Sequence, residues 1–407
     1  MSGSSELDAL IYDWNRDGRA APVDFRAVEL DDETLRDGLQ GPSVRNPPLE
    51  VKLRLLHLMD ALGIESADIG LPGASAQARE AIVALAKETA KLRITPNVAV
   101  RTHPADIAGA IEVAVASGVA IETCAFIGSS PIRRYAESWS VDTMVRNVVE
   151  SVSLAVKNDL PVMFVTEDTT RADPETLLAL YGAAIGSGAR RICVSDTCGH
   201  ATPEGVRNLL TFVRDEVVRG RDVKIDYHGH NDRGLGTINA MTATAIADRV
   251  HGTALGIGER VGNASMDQLL INLRLWELID RDLTPLVEYT ALVAEHCGIA
   301  IPPNYPALGA DAFRTGTGVH AAAVVKAIRR GDRALADRVY SAVPASVVGR
   351  EQRIEVGPMS GESNVVYWLE HRGIEPTRSR VERLLAAAKA SDRLLGEDEL
   401  RALAAQP

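Results

Sequence analysis

Two histidines separated by a single residue, His228 and His230, stand at the end of an apolar run in the middle of this 407-residue chain. Residues two apart on a strand point to the same face, so if Val223 to Tyr227 is a strand, both imidazoles present themselves side by side at its end. Two distant segments carry groups that would complement them: Asp32-Glu33-Thr34-Leu35-Arg36-Asp37-Gly38-Leu39-Gln40 near the start and Gly256-Ile257-Gly258-Glu259-Arg260-Val261-Gly262-Asn263 shortly after the pair. Together the three pieces offer two imidazoles, a carboxylate, an amide and an arginine, enough to hold a divalent ion and steady an enolate beside it. A lone His-x-His also reads as two polar residues at a strand end, since histidine is only intermediate in burial. Ligation therefore requires a fold that brings Asp37 and Asn263 to the pair.

The elements that must do this repeat one pattern from residue 27 to about 256: a short β-branched or apolar run, a polar or glycine-bearing turn, then a longer Ala/Leu-rich stretch with helical spacing. Eight runs read as strands: Ala27–Thr34, Ser66–Pro72, Ile94–Val100, Ala120–Ile127, Pro161–Thr166, Arg191–Asp196, Val223–Tyr227 and Arg249–Gly256. Each intervening stretch is long enough for one helix. Near-continuous apolar strands alternating with helices indicate a parallel sheet covered on both faces, and eight of them predict a (β/α)8 TIM barrel, an α/β fold. In such barrels chemistry sits at the C-terminal ends of the strands. Arg36-Asp37, Glu167-Asp168, Asp196-Thr197, His228-x-His230 and the loop 256–263 all fall there. A doubly wound open sheet, the alternative, would bring fewer of these ends together.

The length allows two or three domains, or one barrel plus an extension. The expected division is an N-terminal extension over 1–25, the barrel over 26–280 and a mostly helical C-terminal region over 281–407. Ile301-Pro302-Pro303-Asn304-Tyr305-Pro306 reads as a rigid linker within that last part, which is expected to serve as a lid, an oligomerisation element or both. A formal net charge of −11 argues against nucleic acid or an anionic membrane as partner, while an anionic small molecule stays open because local arginines can offset the global field. The chain has no run of about 18 apolar residues and no basic-then-apolar start, so a cytoplasmic protein is expected. Cys124, Cys193, Cys198 and Cys297 show no Cys-x-x-Cys spacing and read as buried free thiols.

With the three motifs in order, the chain resembles the isopropylmalate, homocitrate and citramalate synthase group, from about residue 28 to 275 and more weakly to about 366. The resemblance implies a metal-dependent barrel that joins acetyl-CoA to a 2-oxo acid by a Claisen-type condensation and then hydrolyses the thioester. It implies Asp37, His228, His230 and Asn263 as metal ligands and Arg36 as the arginine that stabilises the enolate. Such a mixed N/O set suits Mg²⁺, Mn²⁺ or Zn²⁺. Glu167 matches a glutamate lining the acceptor pocket, and Thr197 a threonine bonding the acceptor carboxylate. Both residues also read as polar strand ends capping the next helix.

Departures from the group bear on substrate and base. Where the synthases often carry Ser-Pro-Ile-His, this chain has Ser130-Pro131-Ile132-Arg133. Facing the pocket, Arg133 would favour a second carboxylate or a phosphonate on the acceptor; facing solvent, it is a surface charge. The segment Asp311–His320 resembles a stretch that carries a His-Glu pair in the group, but Thr315 and Gly316 stand there while His320 is retained. In the group this histidine reaches the barrel of the partner subunit and assists proton removal from the acetyl methyl, so a homodimer is expected. Tyr340 is a candidate helper. No long C-terminal regulatory domain is expected. Two competing readings stay open: a lyase or aldolase related to hydroxymethylglutaryl-CoA lyase, against which the Gly-Ile-Gly-Glu-Arg-Val-Gly-Asn loop speaks, and a catalytically silent binding protein with a structural metal.

Overall fold

In the computed structural model, residues 24–406 are described continuously, together with 7, 9–16 and 18. Much of the 1–25 extension, including its first six residues, lies outside the described residues. The chain divides into two compact units, Val23–Ala300 and Met1–Pro22 with Ile301–Pro407.

The first unit is a closed barrel of eight parallel strands in sequence order: β1 Glu29–Asp32, β2 Ser66–Asp68, β3 Thr95–Arg101, β4 Glu122–Gly128, β5 Val162–Glu167, β6 Arg191–Asp196, β7 Lys224–Gly229 and β8 Arg249–Gly252. It closes by β8 pairing with β1, Arg249 opposite Glu29. The TIM barrel expected from the repeat is thus present, with shorter first, second and eighth strands. Several helix starts are written in the sequence: His103-Pro104, Ser130-Pro131, Asp173-Pro174 and Thr202-Pro203 each set a capping side chain before a proline at the first helical position. The cap accepts an otherwise unpaired backbone N–H, and proline lacks the N–H that would have no partner there.

Alternation along the strands decides what the lumen contains. Asn97 and Ala99, Cys124 and Phe126, Met163, Val165 and Glu167, Cys193 and Ser195 face one cavity inside the barrel. Their neighbours Val98, Ala125, Phe164, Ile192, Ile225 and Val250 are fully buried under the helices. Deeper in the lumen the filling is charged. Arg249 of β8 crosses to Glu122 of β4 on the opposite side of the barrel (Nη2 to Oε2, 2.6 Å) and bonds Asp226 of β7 through Nε (2.6 Å). Asp226 also takes Arg191 at 2.7 Å, and Arg191 reaches Glu29 of β1 at 2.7 Å.

The helix Leu286–Cys297 belongs to this unit, because Tyr289 is fully buried with its hydroxyl donating to Asp32 and 3.1 Å from Thr34 Oγ1, and Arg54 pairs with Glu288. Cys124, Cys193 and Cys297 are buried free thiols, while Cys198 is only partly buried.

The second unit has its own cores. One gathers Val365, Trp368, Leu369, Val381 and Leu384, and another Val324, Val325, Ala336 and Ile354. Its helices Gly318–Arg329, Glu362–Glu370, Arg378–Ala390 and Glu397–Ala405 agree with the helical reading, and a two-stranded parallel sheet of Arg314–Thr315 with Arg353–Ile354 adds to it. Among the described residues no helix is long and apolar enough to cross a membrane.

Candidate metal centre and active site

β7 delivers His228 within the strand and His230 just beyond it, their ring centroids 5.0 Å apart. His230 then forms an isolated bridge with Asn263, which pins the loop after β8 against the end of β7. Asp37 opens a short 3-10 turn directly after β1. Its Oδ2 lies 3.7 Å from Nε2 of His228 and 3.7 Å from Nε2 of His230, and its Oδ1 accepts from Asn263 Nδ2 at 3.1 Å. The four residues expected as ligands are therefore brought together.

Glycine makes this approach possible. A Cβ on Gly258 would lie 2.1 Å from Asn263 Nδ2 and 3.0 Å from Asp37 Oδ1, and one on Gly262, at φ +90°, would lie 1.8 Å from the carbonyl oxygen of Gly256. Leu255 and Arg260 in the same loop also hold positive φ, 56° and 55°, a local strain of the kind that collects at functional sites.

The donors fit a divalent cation. The 3.7 Å separations are too long for hydrogen bonds but match atoms that share an ion at about 2.0–2.2 Å each. Oδ1 of Asn263 is buried without a hydrogen-bond partner among the described residues. Burial pushes His228 and His230 down to about 4, so both imidazoles are neutral and able to ligate at neutral pH. Burial opposes ionisation of Asp37, but Arg36 first, and the two imidazoles once protonated at low pH, outweigh it and hold the carboxyl well below its usual range. A second cluster, Glu33, His228 and His251, has metal-binding residue types too. Its Glu33–His251 contact of 2.6 Å is a hydrogen bond and leaves no room for an ion between the two atoms.

Arg36 is gripped by three carboxylates: Asp68 at 2.7 Å through Nε, Asp37 at 3.1 Å through Nη1, and Glu33 through Nη2. Burial disfavours its charge, but Asp68 and Asp37 more than restore it. Burial likewise raises Asp68 to about 6 against the pull of Arg36. Arg36, Glu167 and Thr197 line the same cavity as the histidines, with a volume of about 190 Å³. Burial pushes the Glu167 carboxyl up, with Arg133 opposing. Thr197 Oγ1 accepts the backbone N–H of Asp168 at 2.8 Å, which leaves its own hydroxyl proton to donate.

Arg133 lies elsewhere on the rim. It lines a neighbouring hollow with Arg101, His103 and Trp139, and this hollow shares Phe126 and Glu167 with the metal cavity. Its guanidinium pairs with Glu137 at 2.8 Å. His320 and Tyr340 belong to the C-terminal unit, where their rings stack with centroids 4.2 Å apart.

The sequence reading gives Glu33 no role of its own and passes over His251, Asp68 and Asp226. The signal that could have found them is period two: Asp31 and Glu33 on and just after β1, Asp226 and His228 on β7, Arg249 and His251 on β8 are charged or imidazole residues at alternate positions. Such spacing aims all of them into the lumen.

Residues 27–293 match the family model described as HMGL-like. The chain is 33% identical to a probable 2-isopropylmalate synthase of Methanopyrus kandleri over 89% of this chain and 69% of that one. It is 32% identical to the homocitrate synthase AksA of the same organism, over 92% and 91%, and 30% identical to the (R)-citramalate synthase CimA of Methanocaldococcus jannaschii, over 89% and 70%. Among solved structures, the HMG-CoA lyase of Bacillus subtilis superposes with a TM-score of 0.57 at 20% identity, covering 68% of this chain and 96% of that one, a likeness of fold. The chain belongs to the HMGL-like family.

Proposed function

We propose that this HMGL-like chain is an acyltransferase that condenses acetyl-CoA with a 2-oxo acid at a divalent metal and hydrolyses the resulting thioester with water, giving a 2-hydroxy-2-alkyl dicarboxylate and free CoA. The observation that carries the reading is the convergence of Asp37, His228, His230 and Asn263 beside a cavity whose wall also holds Arg36, Glu167 and Thr197. A cation held by the first four would polarise the acceptor's ketone as a Lewis acid. Arg36 is fixed by its three carboxylates and keeps further N–H groups for the oxygen on which charge develops as the new carbon–carbon bond forms. Thr197 can donate its hydroxyl proton to the acceptor carboxylate. Glu167, with its raised affinity for a proton, suits transfer to and from the nascent alkoxide.

Proton removal from the acetyl methyl is assigned to His320, with Tyr340 stacked beside it, in a homodimer. The hollow lined by Arg133 and Arg101 opens beside Glu167, which supports an acceptor carrying a second anionic group. The metal is Mg²⁺, Mn²⁺ or Zn²⁺, and the setting cytoplasmic.

The test is CoA release from acetyl-CoA by the Mn²⁺- or Mg²⁺-loaded protein against 2-oxoisovalerate, pyruvate, 2-oxoglutarate, oxaloacetate and phosphonopyruvate. Release with one acceptor establishes a synthase and names its substrate, and loss of preference for a dianion in Arg133→Ala places that arginine at the acceptor. Silence across the panel with cleavage of a 3-hydroxyacyl-CoA would replace this reading with a lyase.

A further inference from the structure

Glu33 ties two parts of the site together. Its Oε1 lies 3.0 Å from Nδ1 of His228 and 2.6 Å from Nδ1 of His251, while its Oε2 accepts from Nη2 of Arg36. Beneath it, Nε2 of His251 meets Asp226 Oδ2 at 3.0 Å, and Asp226 is anchored by Arg249 and Arg191. Glu33 is 3% exposed, His251 2% and Asp226 0%, so water does not compete for these bonds.

A carboxylate oxygen only accepts. The 3.0 Å contact therefore places the hydrogen of His228 on Nδ1 and leaves the lone pair on Nε2, the atom that faces Asp37. Without Glu33, nothing among the bonds described for His228 would select that tautomer or hold the ring at that angle. The other oxygen of the same carboxylate holds the arm of Arg36.

We propose that Glu33 is a positioning residue that sets, through one carboxylate, both the ligating nitrogen of His228 and the placement of Arg36, and that His251 backed by Asp226 holds Glu33 in place. The inference rests on the reading of Asp37, His228 and His230 as metal-holding residues. It makes metal affinity and acceptor binding move together in Glu33 variants. Glutamine at this position has a single acceptor oxygen and serves either the histidines or the arginine, never both.

The test is Mn²⁺ binding to metal-stripped protein, read as the free-ion EPR signal, in the wild type, His228→Ala, Glu33→Gln, His251→Asn and the Glu33→Gln/His251→Asn double variant. The wild type is expected to bind stoichiometrically and His228→Ala to lose binding. Partners of this kind typically contribute 10–100-fold to affinity, so Glu33→Gln should raise the dissociation constant by on the order of 10–100-fold and also raise the KM for the 2-oxo acid at saturating Mn²⁺. His251→Asn should weaken binding less, and the double variant no more than Glu33→Gln alone, because His251 acts through Glu33. Wild-type affinity in Glu33→Gln, with His228→Ala still deficient, overturns the proposal while sparing the metal reading. Wild-type protein that binds no Mn²⁺, or His228→Ala that binds it normally, overturns both. Additive losses in the double variant overturn the role of His251. If circular dichroism shows that Glu33→Gln has not folded, Glu33→Asp is read in its place against the same outcomes.

Discussion

The upper and lower halves of the barrel lumen are built from the same residue types and leave them in different states. At the C-terminal end, Asn263 Oδ1 is buried without a hydrogen-bond partner among the described residues, and the Asp37 carboxylate sits 3.7 Å from two imidazole nitrogens, short of bonding either. Below, Arg249 donates to Asp226, Glu122 and Ser66, and Asp226 accepts from Arg249, Arg191 and His251. Both halves bury charge, which is costly unless it is compensated. In the lower half Arg249 and Arg191 satisfy Asp226 and Glu122 from within the protein, although Asp31 Oδ2 lacks a hydrogen-bond partner among the described residues and faces His251 at 3.8 Å; the upper half leaves capacity for something else to complete.

Substitutions should separate the two halves. His228→Ala is expected to abolish turnover and leave a single cooperative unfolding transition; a fully active variant would remove the metal reading. Arg249→Met should do the reverse, costing about 3–5 kcal/mol of stability in denaturant titration because Asp226 and Glu122 lose a buried partner. An unfolding midpoint equal to that of wild type would show that the lower network is not structural.

Asp32 points away from the lumen, toward Tyr289 of the helix Leu286–Cys297. Burial raises its pKa to about 6 despite its bonds to Thr34 and Tyr289, above the ordinary 3.8 of the unfolded chain. Its protonated form is thus favoured by folding, and this contribution is full below pH 3.8 and disappears as pH rises through 6. Relative to Asp32→Asn, the wild type should gain roughly 3 kcal/mol at most between pH 7 and pH 4; a stability difference independent of pH would refute the shift. The smallest effect is expected at the rim, where Thr197→Val should raise the KM for the acceptor on the order of tenfold and cost about 1 kcal/mol of stability, because the Asp168 N–H loses its partner.

Much of this was legible in the chain. The β-branched runs, their alternation with helical stretches and the rule that chemistry gathers at strand ends suffice to bring Asp37, His228, His230 and Asn263 together. The lower lumen was hidden by another rule: barrel interiors are usually filled by bulky aliphatic residues, so Arg249 and His251 pass unnoticed inside a run read as an apolar strand. Arg133 was undecided for a different reason. It sits in the first turn of the short helix Pro131–Glu137, where a turn of a fraction of a residue decides which hollow it lines. The two-residue strands Arg314–Thr315 and Arg353–Ile354 are too short to carry a periodic signal at all.

Arg249 has a further consequence for how the chain reaches its native state. It lies on the last strand, opposite Glu29 of the first, 220 residues away in sequence by their numbers, and its anchors Asp226 and Glu122 sit on the seventh and fourth strands. Any partial barrel that lacks β8 strands those two carboxylates in a dry interior without this cation. With β8 absent, Arg191 of β6 alone is left to face Asp226 and Glu122, so ring closure completes the charge network, which penalises half-barrels along the folding route and makes the longest-range pairing in the sheet, a slow kind of contact to form, also the one that locks the lumen shut.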